Sequence, residues 1–349
     1  MSNITKKFVL PANFSYNDPL PFECDTSTNA ITSLIMYALQ ASYLILGAVL
    51  NVLIIRTIFR TKQSVYRGNS FYLLYTADAI VCIYINISEL LIGRLFTFIT
   101  PLCPIVSPYF FTPSILFKTY YTAVHYSVGF KTVSQIFLSL NRMTCVIMPM
   151  QHISLWRKIL YPVLIATFVL PVGGIWNILI SRVYINPNGG GFSVNYKETI
   201  TWANLSMLHL IYCVICFIFV IIFFFVTIFG LVMLERRVKG TERSLTLATM
   251  VMAIQMLIFA ATQIYFVFFA AALPSIRPLL LLSAVTIYDS MNVASPIALI
   301  LMSRQLRKDI FNLSDDTSRV APSKSVSTVS QHSQPFRNIS TVVSPTVPL

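Results

Sequence analysis

The chain has 349 residues, of which 56% are hydrophobic and 11% are charged, and its mean hydropathy is +0.73. Soluble domains carry about 25% charged residues, so this composition excludes an ordinary soluble protein and predicts a polytopic membrane protein. The formal net charge of +13 does not indicate nucleic-acid binding, because basic and aromatic residues are not interleaved. Basic residues also collect on the cytoplasmic side of membrane proteins.

Seven stretches have the length and apolarity of a membrane-spanning helix, which needs about 20 residues. The third is the weakest, since Lys118, His125 and Lys131 interrupt it. The sequence therefore predicts an all-α membrane protein, a bundle of seven transmembrane helices. The predicted spans are Leu34–Ile58, Phe71–Gly93, Ile115–Met148, Ile159–Ile180, Leu205–Leu234, Leu245–Leu273 and Leu279–Met302.

The loop charges predict that the N-terminus lies outside the cell. In that orientation the cytoplasmic side receives 17 of the 25 Lys and Arg residues, as the positive-inside tendency requires. Asn3 and Asn13 each begin an Asn-x-Ser/Thr triplet, and these glycosylation signals are usable only on an extracellular segment.

The polarity of the chain divides it into four regions. We expect an extracellular N-terminal segment over 1–33, the bundle over 34–303, a short amphipathic helix on the inner leaflet over 304–313, and a disordered Ser/Thr-rich tail over 314–349. The tail is either a substrate for phosphorylation or a passive extension. Arg182–Trp202 is the longest regular connection, an outer loop, and its Asn186-Pro-Asn-Gly-Gly-Gly run is predicted to be a turn with free backbone.

Six cysteines are present, and only Cys24 and Cys103 face outside in this topology. Because the extracellular side is oxidising, a Cys24–Cys103 disulfide is predicted. Cys213 and Cys216 have the spacing of a Cys-x-x-Cys motif, but no second pair of ligands is nearby in the sequence. They are interpreted as buried apolar thiols, and no metal or cofactor is expected.

Ionisable residues inside the membrane are costly and mark candidate functional sites. At a rise of about 1.5 Å per residue from the inner end of each span, Asp78 lies roughly 12 Å deep, Lys131 roughly 16 Å and Asp289 roughly 22 Å. We predict that these three form one ionic cluster, with Asn51 and Asn292 as hydrogen-bonding amides. Such a cluster either holds the helices together or takes part in a switch between two packings.

A second polar set lies in the outer halves of the spans. It comprises Glu89, His125, His209 and Gln263. An apolar pocket with a few polar anchors is typical of small-molecule binding, so these residues are the candidate ligand contacts. Each of them, taken alone, is more often a packing residue.

The inner end of the third span reads Ser139-Leu-Asn-Arg-Met-Thr-Cys-Val-Ile-Met-Pro. An arginine at this place, with Asn51, Asp78 and Pro296 in the first, second and seventh spans, is similar to the landmarks of G-protein-coupled receptors. Asn141 stands where those receptors have an acidic residue before the arginine. The sixth span also lacks Trp-x-Pro, the seventh lacks the closing Tyr, and the second outer loop has no cysteine.

These departures match a narrower group. The Leu-Asn-Arg-Met-Thr motif, together with the block from Asp289 to Arg307, resembles the nematode serpentine receptor class gamma family of chemosensory receptors. The resemblance covers about residues 30–313. It implies a plasma-membrane receptor, in a sensory neuron by analogy, that detects a small external molecule and couples to a heterotrimeric G protein. The residues implied in coupling are Asn141, Arg142, Arg236 and Arg237.

Two other classes of function remain open. A transporter or channel would use the charged residues at mid-membrane depth as an ion or proton path. A membrane enzyme is not expected, because His125 and His209 have no acidic partner three or four residues away. The expected partners are therefore a small-molecule ligand, a G protein and membrane lipids.

Overall fold

The computed structural model describes residues 18–20, 22–24, 29–61, 66, 68–188, 190–233, 240–269 and 277–311. Asn3, Asn13, Arg236, Arg237 and the tail from residue 314 lie outside these ranges. Eight helices are labelled here: α1 Ala30–Arg56, α2 Ser70–Phe98, α3 Ile115–Ile147, α4 Pro149–Val169, α5 Leu205–Met233, α6 Gly240–Ile264, α7 Arg277–Met302 and α8 Arg304–Ile310.

Local sequence signals set several of these helix ends. The side chains of Asn29 and Asn69 accept hydrogen bonds from the backbone N–H two residues later, at 2.9 and 3.0 Å, and so cap α1 and α2. Pro149 begins α4, where a missing N–H has no cost. Ser303 separates α7 from α8 and caps the shorter helix. The starts of α1 and α2 lie within a few residues of the predicted ones, whereas α4 begins ten residues before the predicted Ile159.

Seven long helices form the bundle, and α3 lies at its centre. Helix α3 packs against α2, α4, α5 and α6, while α1 packs against α2 and α7. Six of the long helices have the length and apolarity of a membrane span, and α3 is the more polar remaining one. Because α3 faces protein on most sides, it can carry polar residues that a lipid-facing helix could not. Large apolar side chains such as Phe225 and Phe229 on α5 are exposed instead, as a lipid-facing surface requires.

A β-hairpin replaces the loop predicted over Arg182–Trp202. Strands β1 Arg182–Asn188 and β2 Gly191–Lys197 pair antiparallel, with Asn188 opposite Gly191. The prediction of a turn is right at Gly190, whose φ of 89° favours glycine. The prediction of free backbone within that run is wrong, because Asn186 and Asn188 pair with Ser193 and Gly191 in the sheet. Beyond the run, alternate residues such as Val183 and Ile185 bury one face of the hairpin.

The hairpin belongs to a layer that closes one end of the bundle, called here the cover. It consists of the described part of residues 18–24, residues 102–111 and the hairpin. Cys24 and Cys103 are joined by a disulfide bond, the pairing that the sequence analysis favoured. Leu20 donates its backbone N–H to Phe111, and Phe22 packs edge-on against Phe192. We call this the hairpin end, and the opposite end the Arg142 end.

Candidate functional site

Two groups of buried charged residues lie inside the bundle, where the sequence predicted one. The first is the Lys131 cluster, made of Asp78, Cys82 and Lys131. Lys131 Nζ lies 3.2 Å from Asp78 Oδ2 and 2.8 Å from Cys82 Sγ. The ammonium and the carboxylate balance each other, so the pair can remain charged at this depth.

Asp289 does not join Lys131, so this part of the predicted cluster is wrong. Its carboxylate accepts two hydrogen bonds from Arg94 Nη2, at 3.0 and 2.8 Å. The same nitrogen lies 3.3 Å from Glu89 Oε2, and Glu89 Oε1 accepts a hydrogen bond of 2.8 Å from Tyr120. These four residues form the Arg94 cluster.

The cause of the error is a change of helix type within α2. The predicted span ends at Gly93, so Arg94 was expected to lie outside it. In the structure the helix continues to Phe98 through a π-helical turn over Glu89–Arg94. Residues five apart point about 140° apart in an α-helix, but a π turn brings them to the same side. The run Leu95-Phe-Thr-Phe after Arg94 is the sequence feature that indicates a helix continuing past Gly93.

Gly93 allows the Arg94 cluster to close. A Cβ atom at this position would lie 2.5 Å from both Glu89 Oε2 and the Tyr120 hydroxyl. Glu89 Oε2 is the oxygen that pairs with Arg94, and the Tyr120 hydroxyl donates to Glu89 Oε1, so moving either atom away disturbs a contact of the cluster.

We therefore expect Gly93→Ala to lower the free energy of unfolding by about 1–3 kcal/mol, the usual cost of overpacking a core. The matched control is Gly129→Ala, whose nearest neighbour would be the Pro171 side chain at 3.2 Å. Thermal unfolding of the purified proteins measures both changes. An unchanged midpoint for Gly93→Ala would contradict the close approach.

The two predicted amides lie along the interface between α1, α2 and α7. Asn51 donates to the Gly47 carbonyl at 3.0 Å and accepts from Tyr75 at 3.5 Å. Asn292 donates to the Tyr288 carbonyl at 3.4 Å. Neither amide contacts Lys131 in the hydrogen bonds described. Each donates to a carbonyl one turn earlier on its own helix, so the part of the prediction that placed them in the Lys131 cluster is wrong.

The predicted ligand residues His125 and His209 come together beneath the cover. Their ring centroids are 5.2 Å apart, and Tyr121 packs edge-on against His125 at 4.4 Å. His125 Nδ1 and His209 Nε2 are buried without a hydrogen-bond partner in the described part of the chain. Gln263 is also buried, on α6. Glu89, in contrast, is fully engaged in the Arg94 cluster.

A small cavity of about 10 Å³, enough for roughly one water molecule, lies beside the Lys131 cluster. Its wall combines methionine side chains with polar groups. The lining residues are Asp78, Lys131, Gln135, Met252, Gln255, Met256, Met291 and Ser295. Gln135 crosses this region and donates to the Thr249 carbonyl on α6 at 3.0 Å, a contact that sequence reasoning missed.

Arg142 and Asn141 form a polar network at the other end of the bundle. Asn141 Oδ1 accepts from Arg142 Nη2 at 2.7 Å, and its Nδ2 donates to Ser70 at 2.6 Å. The guanidinium carbon of Arg142 lies 4.2 Å from the centre of the Phe71 ring. The amide of Asn141 and the face of the Phe71 ring are thus two of the groups that hold Arg142.

A second small cavity, also of about 10 Å³, adjoins Arg142 between α3, α5 and α6. Its lining includes Ser139, Val220, Phe223, Thr227 and Thr246. Nearby, Tyr66 donates to the Asp309 carboxylate at 2.5 Å and ties α8 to the α1–α2 connection. Burial, together with this hydrogen bond, raises the pKa of the Tyr66 hydroxyl, so the donor keeps its proton at physiological pH.

Comparison with known proteins gives one consistent result. The family model of the Srg family chemoreceptors matches residues 37–310. Serpentine receptor class gamma-10 of Caenorhabditis elegans is 63% identical over 317 residues, which is 91% of this chain and 97% of that protein. Serpentine receptor class gamma-20 of the same organism is 53% identical over 90% of this chain and 91% of its own length. Class gamma-13 is 46% identical over 93% of this chain and 97% of its own length. This multi-pass membrane protein belongs to the Srg family of chemoreceptors.

Proposed function

We propose that the chain binds a small external molecule beneath the cover and transmits that event to a heterotrimeric G protein at the Arg142 end. The observation that carries this proposal is the buried Arg142, which Asn141 and the Phe71 ring contact and which lines a small cavity between α3, α5 and α6. A helix of a partner protein can bind a groove that opens at such a place.

The ligand region is proposed around His125 and His209, with Gln263 and the Arg94 cluster nearby in the same half of the bundle. Imidazole nitrogens that are buried without partners are available to a polar group of a ligand. The aromatic rings of Tyr121 and Tyr196, 5.9 Å apart, form the adjoining apolar surface. Glu89 contributes to this region as a member of the Arg94 cluster.

The hairpin end is proposed to face outside. A Cys24–Cys103 disulfide is stable in an oxidising compartment, and the charge distribution of the loops requires the same orientation. Asn3 and Asn13 would then be open to glycosylation. Arg236 and Arg237 would lie on the cytoplasmic side, where they would add basic charge to the G-protein surface.

The test is a ligand screen in cells that report G-protein activation, followed by Arg142→Ala. We expect the variant to reach the cell surface and to lose at least about 90% of the ligand response, because the residue that holds the inner network is gone. Arg157→Ala is the matched control, since Arg157 is exposed on α4 and should leave the response intact.

Wild-type signalling by surface-expressed Arg142→Ala would contradict the proposal. Ligand-dependent currents or uptake in cells without G proteins would instead favour the transporter or channel. An N-terminal epitope tag that is accessible on intact cells checks the orientation in the same experiment.

A further inference from the structure

The Arg94 cluster carries more negative than positive groups. One guanidinium, from Arg94, faces two carboxylates, from Glu89 and Asp289. All three side chains are at least nine-tenths buried. The Lys131 cluster pairs one ammonium with one carboxylate, so it has no such excess. If both carboxyl groups were ionised, the Arg94 cluster would hold an uncompensated charge at a depth where water is excluded.

No other described cation lies in contact with the two carboxylates. The titratable groups that face them are all tyrosines: Tyr43 on α1, Tyr120 on α3 and Tyr288 on α7. A neutral phenol donates a hydrogen bond but supplies no positive charge. The charge must therefore be balanced by something that binds between Glu89 and Asp289.

Asn86 gives an independent sign of a small polar species at this interface. It is 1% exposed, and neither its Nδ2 nor its Oδ1 has a hydrogen-bond partner within the described residues. It lies three residues before Glu89 on the same face of α2, against Gly47 and Val293. Those two residues stand one helical turn from Tyr43 and Asp289. The free amide thus occupies the layer next to the cluster.

We propose that the Arg94 cluster binds one exchangeable proton, shared between Glu89 and Asp289. With the proton bound, one carboxylic acid and one carboxylate surround Arg94, and the cluster is neutral. Either carboxyl group can hold the proton while the other remains paired with Arg94, and the amide of Asn86 is available to a polar species that carries the proton to and from the cluster. Release of the proton leaves an unpaired charge that weakens the packing of α7 against α2.

This site makes the stability of the bundle depend on pH. There is a pH range in which the cluster keeps its proton but an exposed carboxyl group has lost it. In that range the folded chain binds one more proton than the unfolded chain. Stability then falls as the pH rises through that range. Either Glu89→Gln or Asp289→Asn removes one negative charge and with it the need for the proton.

The experiment uses the full chain in lipid nanodiscs at pH 6 and pH 8.5. Infrared spectra in H₂O and D₂O detect the C=O stretch of a protonated carboxylic acid, and thermal unfolding gives the midpoint. We expect a carboxylic-acid band in the wild type at pH 6 and a midpoint lower by roughly 2–4 °C at pH 8.5. Both Glu89→Gln and Asp289→Asn should lack the cluster's band and show no dependence on pH from this site.

Glu198→Gln is the matched control, because Glu198 follows the hairpin and lies outside the cluster. It should keep both the band and the pH dependence. The absence of the band in the wild type would overturn the proposal. A band that remains in Glu89→Gln or Asp289→Asn would also overturn the proposal, because the proton would then not be held by charge balance. Neither readout requires a ligand or a G protein, so the result is separate from that of the receptor assay.

Discussion

Replacing Lys131 by methionine should lower the free energy of unfolding by about 3–5 kcal/mol, the cost of leaving one member of a buried ion pair uncompensated. Asp78 would lose the ammonium at 3.2 Å and lies only 3% exposed, so water cannot replace it. Methionine preserves the length and much of the volume of the lysine side chain, which limits the change to the charge.

The double variant Asp78→Asn with Lys131→Met is the matched control. It removes both charges, so it should recover a large part of the stability lost in the single variant. Surface expression and the thermal midpoint of the purified proteins measure the effect. A double variant as unstable as Lys131→Met would mean that lost packing, rather than an unpaired charge, causes the damage.

Removing the Cys24–Cys103 disulfide should have the second large effect. The two cysteines are 79 residues apart, and closing a loop of that length restricts the unfolded chain by about 4–5 kcal/mol in the chain-entropy model. This value is an upper estimate, because part of the effect depends on the native contacts that the bridge holds. In the folded protein the loss would loosen the N-terminal part of the cover.

The matched comparison is among Cys24→Ala, Cys103→Ala and the double variant. All three lack the same bond, so their effects should be nearly equal and should not add. Thermal unfolding with and without a reducing agent provides the measurement. Strictly additive effects of the two single variants would show that the cysteines act separately.

The seven-helix bundle was predictable because it depends on the simplest property of the sequence, the length of its apolar stretches. The polar third span was identified despite Lys118, His125 and Lys131 because helix count and loop charge both required it. The structure places it at the centre of the bundle, which explains how it keeps those residues. The prediction of a Cys24–Cys103 pair followed from topology in the same way.

The partner of Asp289 was not predictable from the spacing of charges. Depth along a straight helix placed Asp289 within reach of Lys131, whereas the π-helical turn over Glu89–Arg94 supplied a nearer cation. A change of helix type has no strong local signal, since it depends on packing against Tyr120 and on the small size of Gly93. The hairpin was not predicted for a related reason. The glycine run indicates a turn, whereas the strands depend on the alternating residues beside it.

The cover has a consequence for the kind of molecule that can reach His125 and His209. Leu20, Phe22 and Phe192 close the hairpin end with apolar contacts, and Arg182 ties the described N-terminal segment to it through the Asp18 carbonyl at 2.7 Å. A compound arriving from water would have to displace this layer. If His125 and His209 bind a ligand, as proposed, a compound that enters from the lipid would avoid this displacement, and its partition into the bilayer would set its concentration beside the bundle.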